Sequence, residues 1–271
     1  MGRLRANAGA GWPVGKWAPA GMDGREAAGG RAEARLRVEV WMGERESHKA
    51  GGGTADAAVA APRLTRDEAG LALVGGNMVL RGDFSRMLPR LRRDRLSREL
   101  LVRAAKVKGV DAPVAVDATA GLGEDSLLLA AAGFSVLLCE RDEVVAALLK
   151  DALERAAADP ALAAVVARMR VAEGDSIEVL HSLPEPPDVV YLDPMFPERR
   201  KSAAVKKKFQ LIHQLEPPCG EQEELLGAAL AASPRKVVIK RPVKGPALAG
   251  VKPSYSLSGK AVRYDVLVPP R

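Results

Sequence analysis

Glycine and carboxylate residues that could bind a nucleotide follow an apolar run in the middle of the chain. The run Val114–Asp117 leads into a short loop that contains Gly121 and Gly123, and a helical pattern begins directly afterwards. Glycines let the backbone approach a ligand closely, and the start of a helix offers it free N–H groups. Glu140 ends the next apolar run, where a carboxylate can accept hydrogen bonds from both ribose hydroxyls. The pattern predicts a nucleotide cofactor site that includes Asp117, Gly121, Gly123 and Glu140.

The residues after the glycines discriminate between two classes of cofactor. A dinucleotide fingerprint needs a third glycine three residues after the second, and Ser126 stands at that position. Glu124 and Asp125 would repel a diphosphate but tolerate the sulfonium and amino groups of S-adenosylmethionine. The sequence therefore favours S-adenosylmethionine over NAD. The alternative for both acids is an ordinary first helical turn, where the helix dipole favours negative charge.

A third apolar run, Val171–Glu173, is followed by Gly174, Asp175 and Ser176. Ligands of open α/β sheets bind outside the carboxyl ends of the strands, so a side chain here could bind the adenine amino group. The same two polar residues are also typical helix N-caps. The sequence leaves both interpretations open.

The segment with the clearest chemistry is the end of the apolar run Asp188–Asp193. Asp193 is followed by Pro194, Met195, Phe196 and Pro197, which resembles the D-P-P-Y motif of amino-methyltransferases. An exocyclic amine of a base is a poor nucleophile because its lone pair is delocalised into the ring. Hydrogen bonds to the Asp193 carboxylate and the Pro194 carbonyl would localise and aim that lone pair. Phe196 would stack on the extruded base. The three residues are the candidate catalytic group.

Basic residues predict a nucleic-acid partner. The chain has 41 Lys and Arg against 34 Asp and Glu, a formal net charge of +7, which favours a polyanion. Basic residues dominate residues 83–108 and recur directly after the candidate catalytic residues. The candidate RNA-binding residues are Arg93, Arg95, Arg98, Arg199, Arg200, Lys201, Lys206, Lys207, Lys208, Lys240 and Arg241. The alternative for each group is an ordinary solvated surface.

The elements that must position these residues alternate between strand and helix patterns. Residues 109–271 read as β-α units with continuous apolar strands, which predicts an α/β fold with a mostly parallel, doubly wound sheet. Tyr255–Leu257 and Val262–Val268 predict a C-terminal antiparallel hairpin. Residues 63–108 predict a small extension with a hairpin and a basic helical segment. Residues 1–62 are rich in Gly, Ala and Arg, and we expect a largely disordered extension there.

Several classes of protein are disfavoured by the composition. Cys139 and Cys219 are the only cysteines, and neither lies at metal-ligand spacing, so we expect no zinc site and no disulfide framework. No apolar run has the roughly 18 residues of a membrane span. We therefore expect a cytoplasmic protein without a metal or a membrane partner.

Four segments together resemble the family of ribosomal RNA small-subunit methyltransferase J. They are VDATAGLGED, LLCERD, VVYLDPMFPERRKSAAVKKK and VVIKRP, and the resemblance covers roughly residues 64–271. It implies a Rossmann-like class I fold that uses S-adenosylmethionine to methylate N2 of a guanosine in 16S ribosomal RNA, naked or in the small subunit. The cofactor contacts that it implies are Glu124, Asp125, Glu140, Arg141, Asp175, Ser176 and Asp193.

Three other functions compete with this expectation. The first is methylation of adenine N6 in RNA or DNA, whose motif usually has Pro and Tyr where this chain has Met195 and Phe196. The second is an NAD-dependent oxidoreductase, which Ser126 disfavours. The third is a non-catalytic RNA-binding protein, which the intact Asp193 and glycine loop disfavour. Cofactor binding and product analysis discriminate among them.

Overall fold

The computed structural model describes residues 62–76, 78–194 and 222–270 of the chain. Only Pro62 of the predicted extension 1–62 lies among them. In these residues a seven-stranded sheet carries helices on both faces, and a separate three-stranded sheet precedes it. None of the helices that the structure describes is long and apolar enough to cross a membrane.

The three-stranded sheet begins the described chain. Its strands, antiparallel in the order β1-β2-β3, are β1 (Arg63–Asp67), β2 (Gly70–Gly75) and β3 (Met78–Leu80). The predicted hairpin corresponds to β2 and β3, whereas β1 was not predicted. The sheet packs on the long helix α5 (Glu143–Ala157), where Leu71, Leu73 and Leu80 meet Val145 and Leu148.

The basic segment that follows is helical but interrupted. A 3-10 turn at Phe84–Met87 is followed by three short helices, which are α1 (Leu88–Leu91), α2 (Arg93–Leu96) and α3 (Leu100–Ala105). Arg92 has ψ near 135°, outside the helical region, and Glu99 has an extended backbone, so the chain turns at both points. The expectation of a helical segment is confirmed, but the helix is broken into pieces.

The large sheet contains the predicted strands, but their spatial order was not predicted. Its strands are β4 (Val114–Asp117), β5 (Ser135–Glu140), β6 (Met169–Glu173), β7 (Val189–Leu192), β8 (Lys236–Pro242), β9 (Tyr255–Ser258) and β10 (Val262–Leu267). They lie in the order β6-β5-β4-β7-β8-β10-β9. All neighbours among the first five are parallel, and β10 is antiparallel to both β8 and β9. The C-terminal hairpin is therefore confirmed, with β10 inserted inside the sheet.

Alternating side chains of the strands build two apolar layers. Residues such as Ala115, Val136 and Tyr191 pack under α3, under α4 (Glu124–Ala131) and under α5. Their neighbours along the strands, such as Val116 and Val190, face the other layer. The helices there are α7 (Ser176–His181) and α8 (Gln222–Ala231), while α6 (Ala163–Val166) precedes β6. Burial on both faces explains the continuous apolar strands.

This topology determines where a ligand can bind. The strand order reverses between β4 and β7, because the chain passes from β4 to β5 and β6 on one side and later returns to β7 on the other. Ligands of open α/β sheets bind outside the carboxyl ends of the strands at such a switch point. Asp117, Glu140 and Asp193 end or directly follow β4, β5 and β7, so all three lie at this edge.

Candidate active site

The glycine loop is tied to Glu140 through its backbone. The Gly121 N–H donates to Glu140 Oε2 at 2.9 Å, and the Asp142 N–H donates to Glu140 Oε1 at 2.9 Å. Gly121 has φ +53°, and a Cβ built on it would have no heavy atom within 4 Å, so open space lies above the loop. Gly123, with φ +75°, packs against Leu149 instead, where a Cβ would come within 2.8 Å of Cδ1. The first glycine thus leaves room for a ligand and the second allows close helix packing.

Asp117 is buried beneath the loop. Its Oδ2 accepts a hydrogen bond from the Ser126 hydroxyl at 2.6 Å, and its Oδ1 accepts one from the Thr119 N–H at 3.1 Å. Burial raises the pKa of Asp117 to about 7, against the lowering effect of these two donors. Ser126 therefore stands where a dinucleotide fingerprint has its third glycine and supplies a hydroxyl to the carboxylate. Neighbouring Asp125 and Asp193 add to the rise.

A cavity of about 350 Å³ opens at the carboxyl ends of β5 and β6. Its lining consists of Glu140, Arg141, Glu143, Ala146, Glu173 and Gly174. This volume lies within the range of small-ligand pockets, and the Glu140 carboxylate is an acceptor suited to ribose hydroxyls. The residues present therefore fit the nucleoside part of S-adenosylmethionine, with the open face of Gly121 beside them.

Asp175 and Ser176 lie next to this cavity, directly after Gly174. Asp175 is the N-cap of α7, because its Oδ1 accepts a hydrogen bond from the Ile177 N–H at 2.8 Å. The capping interpretation is confirmed, and the contact with adenine stays a prediction. Glu124 and Arg141 are exposed at the start of α4 and after β5.

The candidate catalytic carboxylate lies on the other side of β4. The Asp193 N–H donates to Thr119 Oγ1 at 2.7 Å, which joins the residue after β7 to the glycine loop after β4. Pro194 is buried next to it. Partial burial raises the pKa of Asp193, and Lys240 opposes that rise. Phe196 lies outside the described residues.

Lys240 joins the two sides of the site. Its Nζ donates to Asp193 Oδ2 at 2.8 Å and to Asp125 Oδ2 at 2.7 Å. The Tyr191 hydroxyl donates to the same Asp125 oxygen at 2.6 Å. Burial lowers the pKa of Lys240, but the two carboxylates outweigh burial and raise it, so its ammonium stays charged. We call Asp125, Tyr191, Asp193 and Lys240 the lysine network.

Two predicted RNA contacts need correction. Lys240 was expected to bind phosphate on the rim, but its ammonium lies between two carboxylates of the site. Arg241 was expected beside it, but its side chain is 1% exposed and its Nε donates to the Pro246 carbonyl at 2.8 Å. Successive residues of a strand point to opposite faces, so the two neighbours enter different layers of the protein. Lys240 is therefore engaged by carboxylates of the site, and Arg241 is buried.

The helix α3, which follows Arg93, Arg95 and Arg98 in the chain, begins at the same edge of the sheet as the site. A Cβ built on Gly259, which directly follows β9, would come within 2.9 Å of Leu100 Cδ1. Strand β9 runs parallel to β8, because β10 is antiparallel to both. Gly259 therefore lies at the carboxyl edge of the sheet, and so does the start of α3, which it contacts. The end of α3 lies at the opposite edge, where Lys236 Nζ donates to the Ala104 carbonyl at 3.1 Å. Arg93, Arg95 and Arg98 precede α3 and are exposed.

Arg90, which belongs to the same basic segment, is paired with an acid of the protein. Its Nε and Nη2 both donate to the Glu99 carboxylate at 2.8 Å, a bidentate pair that joins α1 to the start of α3. The predicted contacts Arg199, Arg200, Lys201, Lys206, Lys207 and Lys208 lie outside the described residues. For these six residues the RNA contact stays a prediction.

Sequence reasoning missed three residues of the site. Tyr191 precedes Asp193 by two positions on β7, so both side chains point to the same face. Tyr264 of β10 pairs in register with Lys240, and Thr119 holds the Asp193 N–H. The period-2 spacing could have indicated Tyr191, whereas Tyr264 depends on the insertion of β10 beside β8. Within residues 62–76, 78–194 and 222–270, no group of His, Cys, Asp and Glu could hold a metal ion.

Comparison with known proteins adds a family and several relatives. A family model described as "Putative SAM-dependent methyltransferase" matches residues 60–269. The chain is 48% identical over 171 residues to "Ribosomal RNA small subunit methyltransferase J" of Stutzerimonas stutzeri, which covers 63% of this chain and 66% of the relative. The protein of the same name from Thioalkalivibrio sulfidiphilus is 48% identical over 175 residues, 64% of this chain and 69% of the relative. The matched part thus spans about two thirds of these curated relatives.

A solved structure supports the same fold. The chain resembles a SAM-dependent methyltransferase from Neisseria gonorrhoeae with a TM-score of 0.64 and 31% sequence identity. The similarity covers 80% of this chain and 86% of that protein.

Proposed function

This chain belongs to the family of S-adenosylmethionine-dependent methyltransferases, and on that premise we propose that it methylates the exocyclic N2 of a guanosine in small-subunit ribosomal RNA. One observation carries the proposal. A partly buried carboxylate, Asp193, is held against the glycine loop of the cofactor site by a hydrogen bond from its N–H to Thr119 Oγ1. A carboxylate in that place can bind an amine beside the methyl donor.

The cofactor half of the site has the acceptors and the space that S-adenosylmethionine needs. Glu140 would accept from the ribose, and the open face above Gly121 would admit the ligand beside the loop. Arg141, Asp175 and Ser176 would complete the adenosine pocket. When bound, S-adenosylmethionine supplies an activated methyl group on a sulfonium. Because this group is already electrophilic, the chain's own residues need only hold and orient the amine.

Asp193 and Pro194 would bind the target amine. The Asp193 carboxylate and the Pro194 carbonyl are acceptors, so each can take one N–H of the exocyclic amino group and turn its lone pair toward the methyl donor. The carboxylate is also a group to which the amine can give up a proton as the new N–C bond forms. Phe196 would stack on the base. A base in a duplex must be extruded to reach such a site.

Guanine N2 is preferred over adenine N6 because of the relatives. The proteins named ribosomal RNA small subunit methyltransferase J are up to 48% identical to this chain. The segment Asp193–Pro197 also departs at Met195 and Phe196 from the usual adenine motif. Adenine N6 is the second candidate, since the same pair of acceptors suits either amine. A ribosomal RNA substrate also implies a cytoplasmic location.

The exposed arginines at the site edge are the proposed RNA contacts within the described part of the chain. Each of Arg93→Ala, Arg95→Ala and Arg98→Ala should weaken RNA binding and reduce the salt dependence of log Kd by about 1. Arg168→Ala is the matched control, because Arg168 lies at the opposite edge, directly before β6. Filter binding to small-subunit RNA across a salt series measures the slope. Equal slopes in the control and the three variants would contradict this interface.

The reaction is tested by methyl transfer from labelled S-adenosylmethionine to small ribosomal subunits from a strain lacking the gene. Naked small-subunit RNA is assayed in parallel, and Asp193→Asn provides the inactive control. The product is digested to nucleosides and identified by mass spectrometry. N2-methylguanosine supports the proposal, N6-methyladenosine supports the second candidate, and absence of label from both substrates, despite confirmed cofactor binding, contradicts both.

A further inference from the structure

The geometry points to Lys240 as a positioning residue for the methyl transfer proposed above, one that fixes the orientation and the charge of the Asp193 carboxylate. The inference rests on the proposed function, because it assigns Asp193 the role of binding the target amine. A lysine that only contacted phosphate on the rim would not need to hydrogen-bond Asp193.

The position of Lys240 supports this role. The apolar strand β8 carries it to the edge of the sheet, beside the residue that follows β7. Its Nζ lies 2.8 Å from Asp193 Oδ2 and 2.7 Å from Asp125 Oδ2, and its side chain is 26% exposed. One ammonium therefore joins the segment after β7 to α4, the helix that follows the glycine loop. The Asp193 side chain has a fixed partner on one oxygen.

The charge around Asp193 explains why a cation is needed there. Asp117, Asp125 and Asp193 bring three carboxylates to one edge of the sheet, and nearby carboxylates favour each other's protonated forms. Burial raises the pKa of Asp193 first, and Asp125 raises it further, while the charge and the hydrogen bond of Lys240 lower it. A protonated Asp193 would be an O–H donor at one oxygen. It could not accept both a proton and an N–H from the target amine as a carboxylate does.

Other charged or titratable groups also act electrostatically on or around Asp193 and must be considered in any pH dependence. They are Lys240 and Arg241 of β8, Asp125 of α4, Asp117 of β4, Tyr191 of β7 and Tyr264 of β10. Burial raises the pKa of both tyrosines well above their ordinary value, so neither ionises near neutral pH. Arg241 keeps its charge there, because burial lowers its pKa only to about 10. Lys240 is the cation that hydrogen-bonds Asp193 directly.

A merely structural ion pair is the competing explanation. In that case Lys240 would hold α4 against the sheet, and turnover in its absence would fall with stability rather than follow the ionisation of Asp193. The two explanations differ in whether the pH dependence of activity follows the titration of the Asp193 carboxyl group, which is measured separately without any substrate.

The experiment follows the Asp193 carboxyl carbon by 13C NMR in protein labelled at aspartate, with Asp193→Asn assigning the signal. Lys240→Met should move the Asp193 titration to a pH about one unit higher than in the wild type. Lys240→Arg should restore most of the wild-type value. Lys236→Met is the matched control, because Lys236 lies on the same strand but donates to backbone carbonyls at the other edge. Lys240→Gln, which keeps a hydrogen-bond donor without the charge, serves if the methionine variant does not fold.

Activity and binding provide the second readout. The acid limb of the kcat/KM profile should move with the NMR titration, and at a fixed pH below that limb kcat/KM should fall about 10-fold in Lys240→Met. Calorimetry should show binding of S-adenosylhomocysteine within about 3-fold of the wild type, since Lys240 hydrogen-bonds Asp125 and Asp193 rather than residues that line the cavity, and a 3-fold change is below 1 kcal/mol. An unchanged Asp193 titration in both neutral variants, or an acid limb that stays at the wild-type pH while the titration moves, would overturn the inference. Absence of methyl transfer by the wild type would instead contradict the proposed function, whatever the titration shows.

Discussion

The two sides of the site hold their carboxylates with different kinds of donor. On the cofactor side, Glu140 accepts from the N–H groups of Gly121 and Asp142, and Asp175 accepts from the N–H of Ile177. On the catalytic side, Asp193 shares the ammonium of Lys240 with Asp125. Backbone donors are neutral and fixed by the fold, whereas the lysine is a charged side chain on another strand.

This difference indicates how each side works. Neutral donors orient a carboxylate but leave its negative charge in place, which suits a ligand with hydroxyl, amino and sulfonium groups. On the catalytic side one ammonium is shared by Asp193 and Asp125, and in the proposed function it would leave Asp193 as a well-oriented acceptor for a neutral amine. We therefore expect substitutions on the cofactor side to act mainly on affinity and stability, and substitutions on the catalytic side to act mainly on turnover.

The largest expected effect is a loss of turnover without a matching loss of cofactor affinity, and it tests the catalytic side. Asp193→Ala removes the proposed amine acceptor, so kcat should fall by about 10²- to 10³-fold or more, as for loss of a preorganised transition-state contact. The affinity for S-adenosylhomocysteine should fall much less. Single-turnover kinetics and calorimetry measure the two quantities. Near wild-type kcat in this variant would contradict a catalytic role for Asp193.

The reciprocal variant is Glu140→Gln. Both oxygens of Glu140 accept from backbone N–H groups, so the glutamine must point its NH2 at one of these donors. The glycine loop should shift, and affinity for the cofactor should fall about 10- to 100-fold, in line with loss of a hydrogen bond to a charged group. We expect kcat at saturating cofactor to stay within a few-fold. Glu143→Gln, which lines the same cavity, is the control and should change affinity little.

Much of the cofactor side could be predicted because its residues are close together in the sequence. Asp117, Gly121 and Gly123 belong to one turn, and Glu140 ends the next strand. The candidate catalytic carboxylate could also be proposed from the sequence, since Asp193-Pro194 is a local motif. Strand and helix types could be predicted from continuous apolar runs, which explains why the α/β class was found.

The contacts of Lys240 with Asp125 and Asp193 could not be predicted, for a physical reason. Its partners Asp125 and Asp193 are distant in the sequence and meet it only because β8 pairs with β7 in the folded sheet. A basic residue at a strand end was therefore interpreted as a phosphate contact. Strand β1 was missed for a related reason, because Arg63–Asp67 is mostly polar and is a strand only through its pairing with β2.

A smaller effect tests the buried acid between the two sides. The pKa of Asp117 is raised by burial from 3.8 to about 7, so from about pH 4 to pH 7 the unfolded chain has lost this proton while the folded chain keeps it. Stability must therefore fall as the pH rises through that window and level off above it. Asp117→Asn removes the titration, so from pH 5 to pH 7 its free energy of unfolding should rise relative to wild type by about 2 kcal/mol. Urea denaturation at both pH values measures this. A constant difference would mean that Asp117 is charged throughout.

The smallest expected effect distinguishes the two roles of Asp175. Asp175→Ala removes the N-cap of α7, so the free energy of unfolding should fall by about 1 kcal/mol. Asp175→Ser keeps a side-chain oxygen that can accept from the Ile177 N–H, so stability should be largely retained. If Asp175 also binds the adenine amino group, the serine variant should nevertheless lose affinity for S-adenosylhomocysteine, because the shorter side chain has only one oxygen to serve both donors. If calorimetry shows unchanged affinity in the serine variant, Asp175 acts through the helix alone, and the adenine contact on the cofactor side must come from another residue.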